Sequence, residues 1–81
     1  MKTVKVTVDN SRIMDSIESA ELSVKSPTGR TIYIKKTSLR EATPDMREAF
    51  WKACNDPMVR FVGEVELTIE EMQLLFDMSK L

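Results

Sequence analysis

The chain has 81 residues, enough for one small domain, which we take to span residues 1–81. Twelve Lys and Arg residues stand against thirteen Asp and Glu, so the net charge of −1 gives the whole molecule no attraction to nucleic acid or to an anionic membrane. With 42% hydrophobic and 31% charged residues, the composition is typical of a soluble globular protein.

The charges are unevenly distributed along the chain. Residues 1–40 carry a net charge of +4, and residues 41–81 carry a net charge of −5. We favour the interpretation that the two halves pair across one sheet, because charge runs are usually solvated faces. The alternative is a basic hairpin that contacts an anion.

Cysteine usage and the N-terminal sequence bear on the cellular compartment. The single cysteine, Cys54, has no partner for an internal disulfide, which fits a reducing compartment. Residues 1–5 carry charge without a following apolar run, unlike a signal peptide, and no apolar run reaches membrane-spanning length. We therefore expect a cytoplasmic protein with no membrane partner.

The N-terminal pattern predicts a strand followed by a short helix. Val4, Val6 and Val8 alternate with polar residues, as in a half-buried strand. The Asp-Asn-Ser sequence at 9–11 offers helix N-caps, and apolar residues follow at helical spacing. These features predict a helix near residues 11–19, although the polar residues between the apolar positions also fit an irregular loop.

Residues 21–37 predict a β-hairpin, around which the other elements are arranged. Two β-favouring runs flank Pro27-Thr28-Gly29, which we interpret as a three-residue loop. Gly29 takes the left-handed conformation, where a Cβ is penalised. In this register the aliphatic side chains of both strands share one face. They are Leu22, Val24, Ile32 and Ile34.

The segment after the hairpin predicts a helix. Thr43 fits the N-cap position and Pro44 the first helical position, and an apolar stripe then runs from Met46 to Cys54. The Asn-Asp-Pro sequence at 55–57 ends this helix, because the residue before proline is disfavoured in the helical region.

Alternation over residues 59–67 predicts the last strand, and a helix follows it. Thr68 and Glu71 have the spacing of a capping box at the start of that helix. The predicted order is β-α-β-β-α-β with an additional C-terminal helix. This is an α+β, ferredoxin-like arrangement with a four-stranded antiparallel sheet, in which strands one and three lie at the centre.

Residue types that commonly carry catalysis are scarce. The chain has no histidine, and Cys54 lies on an apolar stripe, where it is expected to be a buried small hydrophobe. Glu64 and Glu66 share one face of a strand and could hold a weak divalent ion, but solvated carboxylates are the favoured interpretation. We therefore expect no enzyme activity, no cofactor and no metal site.

The C-terminal helix has two apolar stripes, whereas a helix in a small domain needs only one buried face. The first stripe is formed by Ile69, Met72, Leu75 and Phe76. The second, on nearly the opposite side, is formed by Leu74, Met78 and Leu81. This second stripe is either covered by the fold or part of an interface.

Trp51 lies off the apolar stripe of its own helix, one turn after Arg47. Tryptophan and arginine on a partly exposed surface are typical of binding anchors. The alternative is that Trp51 closes the edge of the core against Met58.

These patterns predict a non-enzymatic protein-binding module, whose partner is another protein or a second copy in a homodimer. Small chains without catalytic residues are often inhibitors or regulators from mobile genetic elements, and we expect such a role here. The predicted contact residues are Arg47, Trp51, Leu74, Met78 and Leu81. The alternative is a nucleic-acid-binding regulator with a basic hairpin that contacts phosphates. Its residues are Lys25, Arg30, Lys35, Lys36 and Arg40.

Overall fold

The computed structural model describes residues 2–81, which form four strands and two α-helices. The strands are β1 (Thr3–Asp9), β2 (Glu21–Lys25), β3 (Thr31–Lys35) and β4 (Val62–Thr68). The helices are α1 (Pro44–Ala53) and α2 (Ile69–Met78), and a 3-10 helix spans Lys36–Arg40. The predicted α+β class is confirmed.

The four strands form one antiparallel sheet in the order β3-β2-β1-β4. The strands β1, β2 and β3 follow one another as neighbours, and β4 returns beside β1 after α1. The predicted ferredoxin-like order is not confirmed, because it places strands one and three at the centre. Here β1 and β2 occupy the centre of the sheet.

The predicted helix over residues 11–19 is wrong, and its absence explains the strand order. This segment forms turns, the first closed by a hydrogen bond from Ile13 N to Asn10 O of 3.0 Å. Ile13 is buried, but Met14 and Ile17 are exposed, so the segment has no continuous apolar stripe for a helix to bury. Without a crossover helix, the chain turns back directly and β2 pairs antiparallel to β1.

The predicted β2–β3 hairpin and its register are confirmed. Val24 pairs with Ile32, and both side chains are buried. Ser26 N donates to Arg30 O at 2.8 Å and closes the three-residue loop. Gly29 has a φ of +93°, the left-handed conformation that glycine adopts without steric cost.

The start, the end and the buried stripe of α1 also agree with the prediction. Thr43 Oγ1 accepts a hydrogen bond from Met46 N at 3.2 Å, and Pro44 is the first helical residue. The chain leaves the helix at Asn55, whose φ is +64°. The fully buried residues of the stripe are Ala49, Phe50, Ala53 and Cys54.

The predicted capping box at the start of α2 is confirmed. Glu71 N donates to Thr68 Oγ1 at 3.0 Å, and Thr68 N donates to Glu71 Oε1 at 2.8 Å. Lys52 Nζ lies 2.9 Å from Glu71 Oε1 and links α1 to α2. Desolvation raises the pKa of Glu71, but the hydrogen bonds from Thr68 and the charge of Lys52 together hold it below its usual value.

The core lies between the two helices and one face of the sheet, and the other sheet face is polar. The strand register places Lys5 opposite Glu66 and Lys35 opposite Glu21 on this polar face. These positions support the interpretation that the two oppositely charged halves of the chain meet across the sheet. The largest fully buried core side chains are Val6, Val8, Ile13, Leu22, Val24, Ile34, Phe50, Cys54, Leu67, Leu75 and Met78.

Candidate functional site: an apolar surface at the loop end

One end of the molecule concentrates its exposed apolar side chains. β1 and β3 end there and β2 and β4 begin there, so the connections 10–20, 36–43 and 54–61 gather at that end. Nine large hydrophobic residues are exposed among residues 2–81, and six belong to these connections, to α1 beside them or to the first position of β4. We call these six the loop-end surface: Met14, Ile17, Trp51, Met58, Val59 and Val62.

The buried side chain of Asn10 joins the two loops that carry most of this surface. Its Nδ2 donates to Cys54 O at 2.8 Å, Asp56 O at 3.2 Å and Val59 O at 3.1 Å. Its Oδ1 accepts a hydrogen bond from Phe61 N at 2.7 Å. Asn10 therefore fixes the 54–61 loop against the start of the 10–20 loop, which makes the loop end a defined shape.

Trp51 forms the aromatic part of the loop-end surface. The side chain is 38% exposed, and its ring meets Phe50 edge-on with ring centroids 5.0 Å apart. Lys36 Nζ lies 6.0 Å from the Trp51 ring centroid and donates to Ile13 O at 3.3 Å. Lys36 thus connects the tryptophan to the 10–20 loop and leaves a positive charge beside the ring.

Arg47 lies one helical turn before Trp51, as predicted, and its side chain is exposed. Its Nε donates to Leu39 O at 2.9 Å and holds the 3-10 helix against α1. The guanidinium group has further donors for a partner, because it carries five N–H bonds. Arg47 and Lys36 therefore both place positive charge near the tryptophan.

The three residues of the second stripe, of which Leu74 and Met78 lie on α2 and Leu81 follows it, do not share one surface. Met78 is fully buried in the core, so a partner of the folded chain cannot reach it. Leu74 is half-buried and lines a groove between α1 and α2, whereas Leu81 is 51% exposed. The second apolar stripe is largely covered by the fold because α2 packs against both β4 and α1.

Five residues of the loop-end surface were missed in the sequence. The alternation over residues 59–67 predicts that Val59 is an inward-facing residue of the last strand, but β4 begins at Val62 and residues 57–59 form a turn. Met14 and Ile17 were assigned to a helix that does not form. The only sign of these residues in the sequence is that apolar side chains occur in segments that also fit a loop. No periodicity distinguishes an exposed loop methionine such as Met58 from a buried one.

The five basic residues of the nucleic-acid alternative are dispersed. Lys25 and Arg30 flank the hairpin turn, whereas Lys35, Lys36 and Arg40 lie at the loop end. The Arg30 guanidinium carbon lies 5.0 Å from the Phe76 ring centroid, on the helix side of the sheet. Lys25 instead belongs to the polar face of the sheet. These residues therefore do not form a continuous basic hairpin surface.

Two features of the described residues bear on acid–base and metal chemistry: the Cys54 thiol and the grouping of metal-ligand residue types. Burial raises the pKa of the Cys54 thiol to about 12, which keeps it protonated at neutral pH. Within residues 2–81, no group of three or more His, Cys, Asp or Glu side chains could hold a metal ion. In the same part of the chain, no helix is long and apolar enough to cross a membrane.

No protein-family model matches the chain, and neither a curated protein nor a solved structure matches it at a significant level. Its own surface is therefore the basis for a proposed function.

Proposed function

We propose that the chain is a non-enzymatic protein-binding module that contacts its partner through the loop-end surface. The observation that carries this proposal is the concentration of six of the nine exposed large hydrophobic residues at one end of the molecule. Exposed apolar side chains scattered singly need no explanation, but a group at one place is typical of an interaction site.

The charges beside Trp51 favour a partner that presents an apolar segment with acidic residues next to it. Tryptophan and arginine are enriched among the residues that dominate interface energies. Lys36 Nζ lies near the ring, and Arg47 is one helical turn before Trp51 on α1, so both offer donors to carboxylates. The proposed contact thus has Trp51 as an apolar anchor with a cationic rim.

In this proposal the module acts on its partner by occupying a surface rather than by catalysis. An inhibitor or regulator role is part of this proposal. It predicts that activity of the partner changes when the loop-end surface binds it.

A matched pair of variants tests the site. Met58 is 76% exposed at the loop end, and Ile69 is 46% exposed at the opposite end of β4. Each is replaced by lysine, and both variants are expected to keep their fold because exposed substitutions change stability by roughly 0.5 kcal/mol or less. Wild type and variants are then used to capture proteins from nuclease-treated lysate.

The proposal predicts one captured protein that is lost with Met58→Lys and retained with Ile69→Lys. Repeating the capture with that purified protein, and with Trp51→Ala, then locates the contact. Equal capture by wild type and Met58→Lys would place the interface elsewhere. If only nuclease-sensitive, salt-sensitive material is captured, the nucleic-acid alternative is the better explanation, because phosphate contacts weaken steeply as salt rises.

A further inference from the structure

The outermost strand β3 has a backbone edge that no other strand within residues 2–81 covers. Backbone N–H and C=O groups of successive residues point to opposite sides of a strand. Ser26 N donates to Arg30 O, so the even-numbered residues of this ladder face β2. The backbone groups of Thr31, Tyr33 and Lys35 therefore point away from the sheet.

The other outermost strand, β4, also has a free edge, but there the even-numbered residues direct their backbone groups away from the sheet. Asn10 N donates to Phe61 O at 3.0 Å, which directs odd-numbered residues of β4 toward β1. The backbone groups of Val62, Glu64 and Glu66 consequently point outward. Within residues 2–81, no hydrogen bond from a loop or side chain reaches the outward backbone groups of Thr31 and Tyr33 on β3 or of Val62, Glu64 and Glu66 on β4. Lys35 is the N-cap of the 3-10 helix, so its N–H is the group it offers to a neighbouring strand.

A second copy in the same orientation can extend this sheet. Because β3 runs parallel to β1 and β4 runs antiparallel to it, β4 of one copy and β3 of the next are antiparallel. The residues with outward-pointing backbone groups carry their side chains on the polar sheet face in both strands. A register with Glu64 opposite Lys35 therefore pairs the edges while the helices of both copies stay on one side.

The two edges also differ in charge. The exposed side chains at the β4 edge include Glu64 and Glu66, whereas those at the β3 edge include Lys35 and Tyr33. Joining two β4 edges around Glu64 would oppose like charges, which destabilises strand pairing. Joining β4 to β3 opposes Glu64 to Lys35, an opposite-charge pair that favours strand pairing, and it places Glu66 opposite Tyr33 rather than opposite a second carboxylate.

We propose that this chain self-associates head to tail, with the β3 edge of one copy added to the β4 edge of the next. The contact joins two different surfaces, so association continues beyond a dimer into an open array. Its main-chain hydrogen bonds are those of strand addition, the mode by which many proteins bind extended segments. The proposal shares only Val62 with the loop-end surface and does not depend on the proposed function.

Two proline variants separate the edges. Proline lacks the N–H donor and is tolerated where that group faces away from the sheet. Tyr33→Pro therefore removes a donor from the β3 edge, and Glu64→Pro removes one from the β4 edge. Circular dichroism and thermal melting establish that each variant is folded before use.

The measurement is the average mass in solution, by sedimentation equilibrium over a range of concentrations at low salt. The wild type is expected to grow in mass beyond two chains, while each proline variant stays at the mass of one chain. An equimolar mixture of the two variants is expected to reach the mass of two chains and stop, because each contributes one intact edge.

Charge reversal provides a second route if a proline variant fails to fold. Glu64→Lys is expected to raise the concentration needed for association about tenfold, and Glu70→Lys, outside the edge, is expected to leave it unchanged. A wild type that stays at one chain mass would overturn the proposal. So would proline variants that associate as well as wild type, or a wild type that stops at a dimer, which would indicate a symmetric contact.

Discussion

Asn10 makes side-chain hydrogen bonds to four backbone groups that lie 44 to 51 residues further along the chain. The sequence predicts Asn10 as a candidate helix N-cap, because Asp-Asn-Ser precedes apolar residues at helical spacing. Instead, Asp9 Oδ1 accepts from Ser11 N at 2.8 Å and forms a local turn, and this contact with Ser11 holds the pKa of Asp9 below its usual value. Residue types that cap helices also close turns, so the local sequence could not separate the two outcomes.

Asn10→Ala is expected to lower the free energy of unfolding by about 2–4 kcal/mol, because it removes one buried and three partly buried hydrogen bonds to the backbone. Urea denaturation measures this. The control is Asn55→Gly, which is expected to be neutral or slightly stabilising, since glycine accommodates the φ of +64° at that position. An Asn10→Ala variant as stable as the control would contradict the role assigned to Asn10.

Glu71 makes the stability of the fold depend on pH. Its pKa is lowered in the folded state, so its contribution is fully present above the unfolded pKa of about 4.3 and is lost as the pH falls through the folded value. Wild type should therefore lose more stability between pH 6 and pH 3 than Glu71→Gln. Glu70→Gln, in the same helical turn, serves as the control. Equal losses in wild type and Glu71→Gln would show that the capping carboxylate has no such effect.

At the scale of elements, α2 shows what a helical pattern can and cannot predict. The capping box fixed its start, because Thr68 and Glu71 satisfy each other's backbone donors within four residues. The spacing of the two apolar stripes does not predict which stripe is buried, because burial depends on the path of α2 across the sheet. Leu75 of the first stripe and Met78 of the second are both fully buried, whereas Ile69 is exposed.

The two stripe residues Met78 and Leu81 should respond differently to the same substitution. Met78→Glu is expected to destabilise the fold by roughly 3 kcal/mol or more, because it places a carboxylate in the core. Leu81→Glu, at an exposed position, is expected to change stability by about 0.5 kcal/mol or less. Thermal melting of both variants compares them, and similar melting temperatures would contradict the placement of Met78.

At the scale of the whole molecule, local signals were predicted better than the order of the strands. The hairpin register followed from Gly29 and four aliphatic residues, which all lie within one short segment. Strand order depends on whether residues 11–19 form a crossover helix, and the hydrogen bonds of Asn10 at the start of this segment reach a loop that is distant in sequence. The loop-end surface could not be predicted for the same reason, because it forms only when those two loops meet.

The most direct test of the central claim is photocrosslinking from the loop-end surface. A photoreactive phenylalanine analogue replaces Met58 in one variant and Ile69 in another, and each is irradiated in native, nuclease-treated lysate. We expect the protein captured in the pull-down to crosslink from position 58 and not from position 69. Crosslinks to that protein from position 69 alone, or from neither position, would contradict the claim that the loop end binds a partner.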